Sequence, residues 1–333
     1  MTLSKHIAGR SLALLLLLTA SLPATSAERE VSFENAAASV TLHGTLTVPD
    51  GVEKPAAVVV MVSGSGWQDR DETVMGHKPF KALAEAMAAA GIASLRYDDR
   101  LDDMATTADF ASDAACALAY AGEQTGARAG LLGHSEGGLI ACMLADSADF
   151  IVTMGAPAFR GDSIILWQTH AALALAGQEN EWAALYPTLR ARYDMLMGPM
   201  PAYAAYAALY ADVARQYPMI DKMPALKEQL VAQAKAMTSP WYRQFLRTDP
   251  ADAIRGVKVP WLALGGGKDM QVGPDNLERI AALNPAATVR LMPDLNHLML
   301  KAPTGSPAEY ASLQGDIDPQ VADAVVDFVK NLK

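Results

Sequence analysis

The chain has 333 residues, of which 51% are hydrophobic and 19% charged, with 37 acidic against 27 basic residues and a formal net charge of −10. That apolar content excludes disorder over most of the length, and the length suits one large α/β domain or a domain with an insertion. An acidic balance with no Lys/Arg cluster excludes a nucleic-acid backbone or an anionic membrane surface as the main partner and leaves small or uncharged substrates.

The N-terminus reads Lys5, Arg10, an apolar run from Leu12 to Leu18, Pro23 and then Ala24-Thr25-Ser26-Ala27. This is the pattern of a secretory signal peptide over residues 1–27, cleaved after Ala27. A transmembrane anchor is the rival reading, but about 12 apolar residues fall short of the roughly 20 that span a bilayer. The expectation is an exported protein, periplasmic or secreted, with no stable membrane anchor after cleavage. Export makes Cys116 and Cys142 candidates for a disulfide; two thiols packed as small apolar side chains are the alternative.

From Glu28 to Val48 the alternation of Thr41, His43, Thr45 and Thr47 with Val40, Leu42, Leu46 and Val48 predicts a half-buried antiparallel pair. The continuous apolar run 56–62 predicts a strand buried on both faces, ending in Ser63-Gly64-Ser65-Gly66. An Ala-rich helix over 79–90, closed by Gly91, precedes a strand over 92–97. Helices at 109–123 and 136–146 then alternate with strands at 129–132 and 150–154. Such alternation implies a parallel sheet with right-handed crossovers.

The alternation stops near Phe159 and resumes near Val259. Between them lies a predicted helical insertion that carries 12 of the 22 Phe, Tyr and Trp residues. Trp261-Leu262-Ala263-Leu264 reads as another buried strand, ending in Gly265-Gly266-Gly267, and is followed by a helix at 274–283, a strand at 288–292 and a last helix at 319–332. The domain layout is thus a core over 28–158, a helical cap over 159–250 inserted after the sixth strand, and a second part of the core over 251–333.

Gly133-His134-Ser135-Glu136-Gly137 lies where a buried strand meets a helix, the context a G-x-S-x-G nucleophile turn requires. Small residues two before and two after Ser135 permit the tight turn that exposes its hydroxyl, and the following helix offers free N–H groups to an oxyanion. A glycine-flanked helix cap is the plainer reading of the same residues. Serine needs a base. Of the histidines beyond the signal segment, His43 alternates in an early strand, His134 sits on the turn and His170 lies in the insertion. His297 follows the last predicted strand, where a loop reaches over the carboxyl edge of the sheet. Asp269, after the Gly265-Gly266-Gly267 run, fits the carboxylate that orients the imidazole; Asp275 reads as a helix N-terminal residue and Asp294 as a turn residue. The order Ser135, Asp269, His297 is that of α/β-hydrolases. The backbone N–H groups of Ser65 and Glu136 are the candidate oxyanion hole.

Together these residues resemble the α/β-hydrolase superfamily. More narrowly, Ser63-Gly64-Ser65-Gly66-Trp67-Gln68-Asp69-Arg70-Asp71-Glu72, Gly76-His77-Lys78-Pro79-Phe80, Leu95-Arg96-Tyr97-Asp98-Asp99-Arg100 and Asn296-His297 resemble bacterial carboxylesterases and feruloyl-esterase-like serine hydrolases. The resemblance implies a mostly parallel sheet flanked by helices, Ser135 as nucleophile with Asp269 and His297, and hydrolysis of acyl or aromatic esters without metal or organic cofactor. One departure stands out: that family continues the Arg-Tyr-Asp-Asp-Arg motif with a Gly-x-Gly-x-Ser loop, and here Arg100 leads into Leu101-Asp102-Asp103-Met104-Ala105-Thr106. The charged residues of these motifs read as surface ion pairs that fix the oxyanion loop, each worth at most about 1 kcal/mol.

Tyr203, Tyr206 and Tyr210 share one face of a helix in the insertion. They either pack within the cap or, with Trp67, line a substrate pocket. An iminopeptidase-like peptidase or a thioesterase would use the same triad; the peptidase would need a carboxylate cluster in the cap, for which Glu179, Glu181 and Asp194 are available. A non-catalytic ligand-binding descendant is the reading from outside enzymology.

Overall fold

The computed structural model describes residues 26–52 and 54–332. The segment read as a signal peptide lies outside these residues apart from Ser26 and Ala27, which open the first strand, so that cleavage after Ala27 would leave a strand beginning at Glu28.

Strands β1 (Ser26–Asn35) and β2 (Val40–Pro49) form an antiparallel hairpin. There follow β3 (Ala57–Val62), α1 (Pro79–Ala89), β4 (Ala93–Tyr97), α2 (Thr107–Thr125), β5 (Arg128–His134), α3 (Glu136–Met143) and β6 (Ile151–Met154). The insertion after β6 comprises α4 (Gly161–Leu175), α5 (Trp182–Met197), α6 (Ala202–Gln216), α7 (Pro224–Met237) and α8 (Pro240–Arg247), and α9 (Ala251–Gly256) leads back to the sheet. The chain ends in β7 (Trp261–Gly266), α10 (Asp275–Leu283), β8 (Thr288–Met292) and α11 (Pro319–Lys330). The strands form one sheet in the order β1-β2-β4-β3-β5-β6-β7-β8, parallel from β4 to β8 and antiparallel through the β1-β2 edge.

Period-two alternation explains why β3 is a continuous apolar run. Val58, Val60 and Val62 pack with Leu95, Leu131 and the Ala-rich face of α2, while Ala57, Val59 and Met61 pack with Phe80, Leu83 and Met87 of α1. Both faces of the sheet are covered, which is what a parallel sheet requires. The α2 helix starts two residues earlier than its apolar pattern implies, because Asp109 accepts hydrogen bonds from the N–H and hydroxyl of Thr106 and so completes a capping box. Helix α3 is shorter than predicted: it stops at Met143, and a separate turn over Ala145–Ser147 follows.

In β2 the alternation holds only over the first half. Thr45 and Thr47 are buried because β4 pairs along this stretch and the face is covered by charged side chains. The Thr45 hydroxyl donates to Glu30 at 2.7 Å and accepts from Arg70 at 2.8 Å. Both cysteines are free thiols. Cys142, on α3, packs in the core, where burial pushes its thiol up to about 12, the state of an inert apolar side chain.

The cap has its own core of Leu166, Leu189, Tyr193, Leu196, Leu209 and Leu246. Arg243 and Arg247 of α8 donate to the carbonyls of Leu196 and Gly198 at the end of α5, where helix carbonyls lack internal partners. Among the described residues no helix is long and apolar enough to cross a membrane.

Candidate active site

Parallel strands all end at the same edge of a sheet, so the loops after β3, β5, β7 and β8 converge there. Ser135 occupies the sharp turn between β5 and α3 with φ 53° and ψ −120°, a strained conformation for a non-glycine residue. Its N–H donates to the carbonyl of Met154 at 2.8 Å. The flanking glycines are sterically required: a Cβ on Gly133 would lie 2.0 Å from the Gly137 carbonyl oxygen, and one on Gly137 2.0 Å from that of Val62.

Asp269 is 2% exposed and His297 4%. The Asp269 Oδ2 faces His297 Nδ1 at 2.7 Å, while its Oδ1 accepts the N–H groups of Gln271 at 2.8 Å and Val272 at 2.7 Å. Three hydrogen bonds thus hold the carboxylate, and through it the imidazole, in one orientation. Gly155, with φ 56°, makes room for the pair: a Cβ there would lie 3.1 Å from His297 Nδ1 and 3.3 Å from Asp269 Oδ2. Asp275 sits in the first turn of α10, and Asp294 is exposed near Lys268.

The loop after β3 lies against Ser135, with a Cβ on Gly64 falling 3.2 Å from the Ser135 Cβ. Two carboxylates grip it. Glu72 Oε1 accepts the Gly64 N–H at 2.8 Å, and Asp99 accepts the Ser63 hydroxyl and the Gln68 N–H, each at 3.0 Å. Among the described residues the N–H groups of Ser65 and Glu136 have no hydrogen-bond partner and are free to meet an oxyanion. The arginines act one layer further out. Arg70 pairs with Asp98 at 2.6 Å and with Glu30, Arg96 with Asp71 and Glu28, and Arg100 with Asp113 at 2.6 Å. Arg96 and the Arg100–Asp113 pair are buried rather than at the surface, as the sequence reading had them.

Burial pushes the Asp99 carboxyl up to about 7, with the nearby Glu72 and Glu136 adding to the shift and the Ser63 and Gln68 hydrogen bonds opposing it. Its ordinary value is 3.8. A carboxyl raised on folding contributes stability that is present at low pH and is lost as pH rises through the folded value. The protein therefore loses stability from this group between about pH 4 and pH 7, and Asp99→Asn removes that loss. Urea midpoints at pH 5 and pH 8 check it: the drop between them is smaller in the variant.

Glu136 has a second part beyond its N–H. Its buried carboxylate accepts the Thr107 hydroxyl at 2.6 Å and the indole N–H of Trp241 at 2.9 Å, tying α8 of the cap to the residue after Ser135.

Ser135, His297 and Ser65 open on a cavity of about 320 Å³. Ile164, Ile165, Trp241, Phe245 and Leu298 form its apolar side, and Gln68, Gln168, Gln271 and Tyr310 its polar one; among the described residues no Lys or Arg lines it. The cap tyrosines are elsewhere. Tyr203 is 79% exposed, Tyr206 packs on the cap's own core, and Tyr206 and Tyr210 stack at 6.4 Å between ring centroids. None of the three lines this cavity, and Tyr206 follows the alternative of packing within the cap: the face they share belongs to α6, whereas α4 and α8 roof the site. Trp67 lines a second cleft, with Leu101, Met104 and Phe110, that meets the first at Trp241. The remaining histidines do other work. His43 bonds Ser32, His77 spans the carbonyls of Tyr310 and Gly315, and His170 lies beside Trp182 in the cap. Among the described residues no group of three or more His, Cys, Asp or Glu is arranged to hold a metal ion.

A mostly parallel sheet carrying a serine on a strained strand-to-helix turn, with an aspartate-bound histidine at the ends of the last two strands, defines an α/β hydrolase. Residues 40–313 match the model of the alpha/beta hydrolase family, and the chain belongs to that family. It is 28% identical over 304 residues to the curated esterase EstD of Thermotoga maritima, a match covering 86% of this chain and 65% of that protein. The fold is shared with an esterase of Pyrococcus furiosus, at a TM-score of 0.54 and 13% identity over 93% of this chain and 92% of that one. It is also shared with a dienelactone hydrolase of Anabaena variabilis, at a TM-score of 0.51 and 16% identity over 92% and 98% of the two chains.

Proposed function

We propose that the protein is an exported serine hydrolase that cleaves carboxylic esters of uncharged acyl or aromatic acids through an acyl-enzyme on Ser135. The observation that carries this reading is the meeting of Ser135, the Asp269-bound His297 and Ser65, with its unpartnered N–H, on one cavity. Similarity to esterase EstD supports an ester bond as the target.

In this mechanism His297 Nε2 takes the proton of the Ser135 hydroxyl as Oγ attacks the ester carbonyl. The oxyanion is held by the N–H groups of Ser65 and Glu136. As the tetrahedral species collapses, the imidazolium gives its proton to the departing alcohol, and a water then repeats the sequence to release the acid and regenerate Ser135. The chain's own residues supply every group these steps use.

An uncharged substrate follows from the cavity wall. Among the described residues it has no Lys or Arg for a free carboxylate, both ring nitrogens of His134 are taken by Glu72 and the His297 carbonyl, and Glu72 Oε1 is already engaged by Gly64 and His134. A peptidase that captures a free amine finds no support, because Glu179, Glu181 and Asp194 are exposed on the cap and none lines the cavity. The test is a panel of p-nitrophenyl esters against prolyl p-nitroanilide. Ester turnover that vanishes in Ser135→Ala is the expected result, and faster turnover of the anilide overturns the reading.

Acyl size is set at Trp241, the wall between the two clefts. A cavity of about 320 Å³ stands at the small end of ligand sites. Trp241→Ala joins the clefts, so kcat/KM for an octanoyl ester rises relative to the butanoyl ester by about tenfold, the scale of methylene discrimination in apolar pockets. An unchanged chain-length profile removes Trp241 from this role.

A further inference from the structure

Beside the Asp269–His297 pair lies a second buried carboxylate–imidazole pair that the ester mechanism does not use. Glu72 adopts φ 53°, in the left-handed region, and is 2% exposed. Its Oε1 accepts the Gly64 N–H at 2.8 Å and faces His134 Nδ1 at 2.8 Å. On the other side of the ring, His134 Nε2 meets the backbone oxygen of His297 at 2.8 Å, and the two imidazoles lie 4.6 Å apart between centroids.

The donors and acceptors determine how many protons this arrangement holds. A backbone carbonyl only accepts, so Nε2 carries a hydrogen. The Nδ1 atom faces an oxygen that already accepts the Gly64 N–H, so a proton must lie between Nδ1 and Oε1. A neutral imidazole beside an ionised Glu72 would set two lone pairs against each other at one of the two 2.8 Å contacts.

Burial works against the charged ring, but the Glu72 charge and hydrogen bond, the His297 carbonyl and the Asp269 charge outweigh it, and the His134 pKa stands above its ordinary value. The ionisable groups around the pair are His297 from the loop after β8, Asp269 from the loop after β7 and Asp99 from the loop after β4.

We propose that Glu72 and His134 are positioning residues that clamp the oxyanion loop, at Gly64, to the base loop, at the His297 carbonyl, and that the clamp closes only while His134 keeps its second proton, on Nδ1, against the Glu72 charge. The proposal rests on the ester-hydrolase reading of Ser135, Ser65 and His297. It makes the site depend on two protonation events of opposite kind: His297 must be neutral to act, and the Glu72–His134 pair must stay protonated to hold it. Glu72→Gln keeps an acceptor for the Gly64 N–H but removes the charge that retains the extra proton.

Two measurements on the full chain test this. Nitrogen NMR of histidine-labelled protein finds both ring nitrogens of His134 protonated at pH 8 in the parent and one of them deprotonated in Glu72→Gln. The rate at which a fluorophosphonate labels Ser135 falls by about 10²-fold in Glu72→Gln, the scale of a misplacement of about 1 Å at a reacting centre. With a p-nitrophenyl ester the same loss appears in kcat rather than KM, and the alkaline fall in kcat moves to lower pH. A neutral His134 in the parent at pH 8 overturns the proposal, as does a folded Glu72→Gln that labels at the parent rate. If that variant fails to fold, the parent spectrum alone decides. Failure of the parent to label at Ser135 overturns the ester-hydrolase reading instead, and the spectrum still judges the pair.

Discussion

Ser135→Ala lowers kcat for ester hydrolysis by about 10⁶-fold and abolishes labelling by a fluorophosphonate. The magnitude follows from removing the nucleophile of a unit whose members act together, where loss of the serine costs about as much as loss of the whole triad. What survives is the modest acceleration left to the Ser65 and Glu136 N–H groups and to binding. The fold should not change. Alanine carries a Cβ as serine does, so it bears the same strain at φ 53°, and the hydrogen bonds that make the turn use the backbone N–H and carbonyl of residue 135. Circular dichroism and thermal melting that match the parent, beside a dead enzyme, are the expected pair of results. Parent-level turnover in the variant would assign the chemistry to another residue.

What the sequence reveals about this site is what is local in the chain. Ser135 is legible because its turn needs glycines at two fixed offsets, Asp269 because it follows a strand that an apolar run marks, and His297 because it follows the last strand of the alternation. The buried face of β3 and the mainly parallel sheet follow from the same kind of signal. The clamp on the oxyanion loop is different in kind. Glu72 and His134 are 62 residues apart, and His134 and His297 163 apart, so no spacing rule joins them. Their only trace in the chain is that Glu72 ends one charged motif and His134 precedes the serine. The cap tyrosines leave two readings open for a related reason: helical spacing tells that Tyr203, Tyr206 and Tyr210 share a face, but not which neighbour that face meets. Trp241, which does wall the cavity, stands in a short helix where it stacks on Phe245 four residues later, a pair too brief to stand out in the sequence. Thr45 and Thr47 look solvated by alternation and are buried, because an adjacent strand and two arginines cover that face.

The second large effect is expected at Asp269. Asp269→Asn lowers kcat by about 10⁴-fold while leaving the loops in place, a loss that comes from the proton rather than from the shape. In the parent, Oδ1 accepts the N–H groups of Gln271 and Val272, and Oδ2 accepts the Nδ1 hydrogen of His297. Asparagine has one acceptor oxygen, and the two loop N–H groups claim it, since leaving both buried donors unpaired would cost about 1–3 kcal/mol each. Its NH₂ group then faces Nδ1, which must present a lone pair, so the neutral ring carries its hydrogen on Nε2. That tautomer cannot accept the Ser135 proton, and the imidazolium formed in the transition state loses its counter-charge as well. Asp269→Ala separates the two roles: it leaves the loop N–H groups unpaired and therefore lowers the melting temperature, which Asp269→Asn does not. Labelling of Ser135 by a fluorophosphonate should slow in both variants. If Asp269→Asn kept kcat within about tenfold of the parent, well short of the loss expected for a triad carboxylate, the orienting group would have to be sought elsewhere. Neither neighbouring aspartate offers itself, because Asp275 is held in the first turn of α10 and Asp294 is exposed toward Lys268.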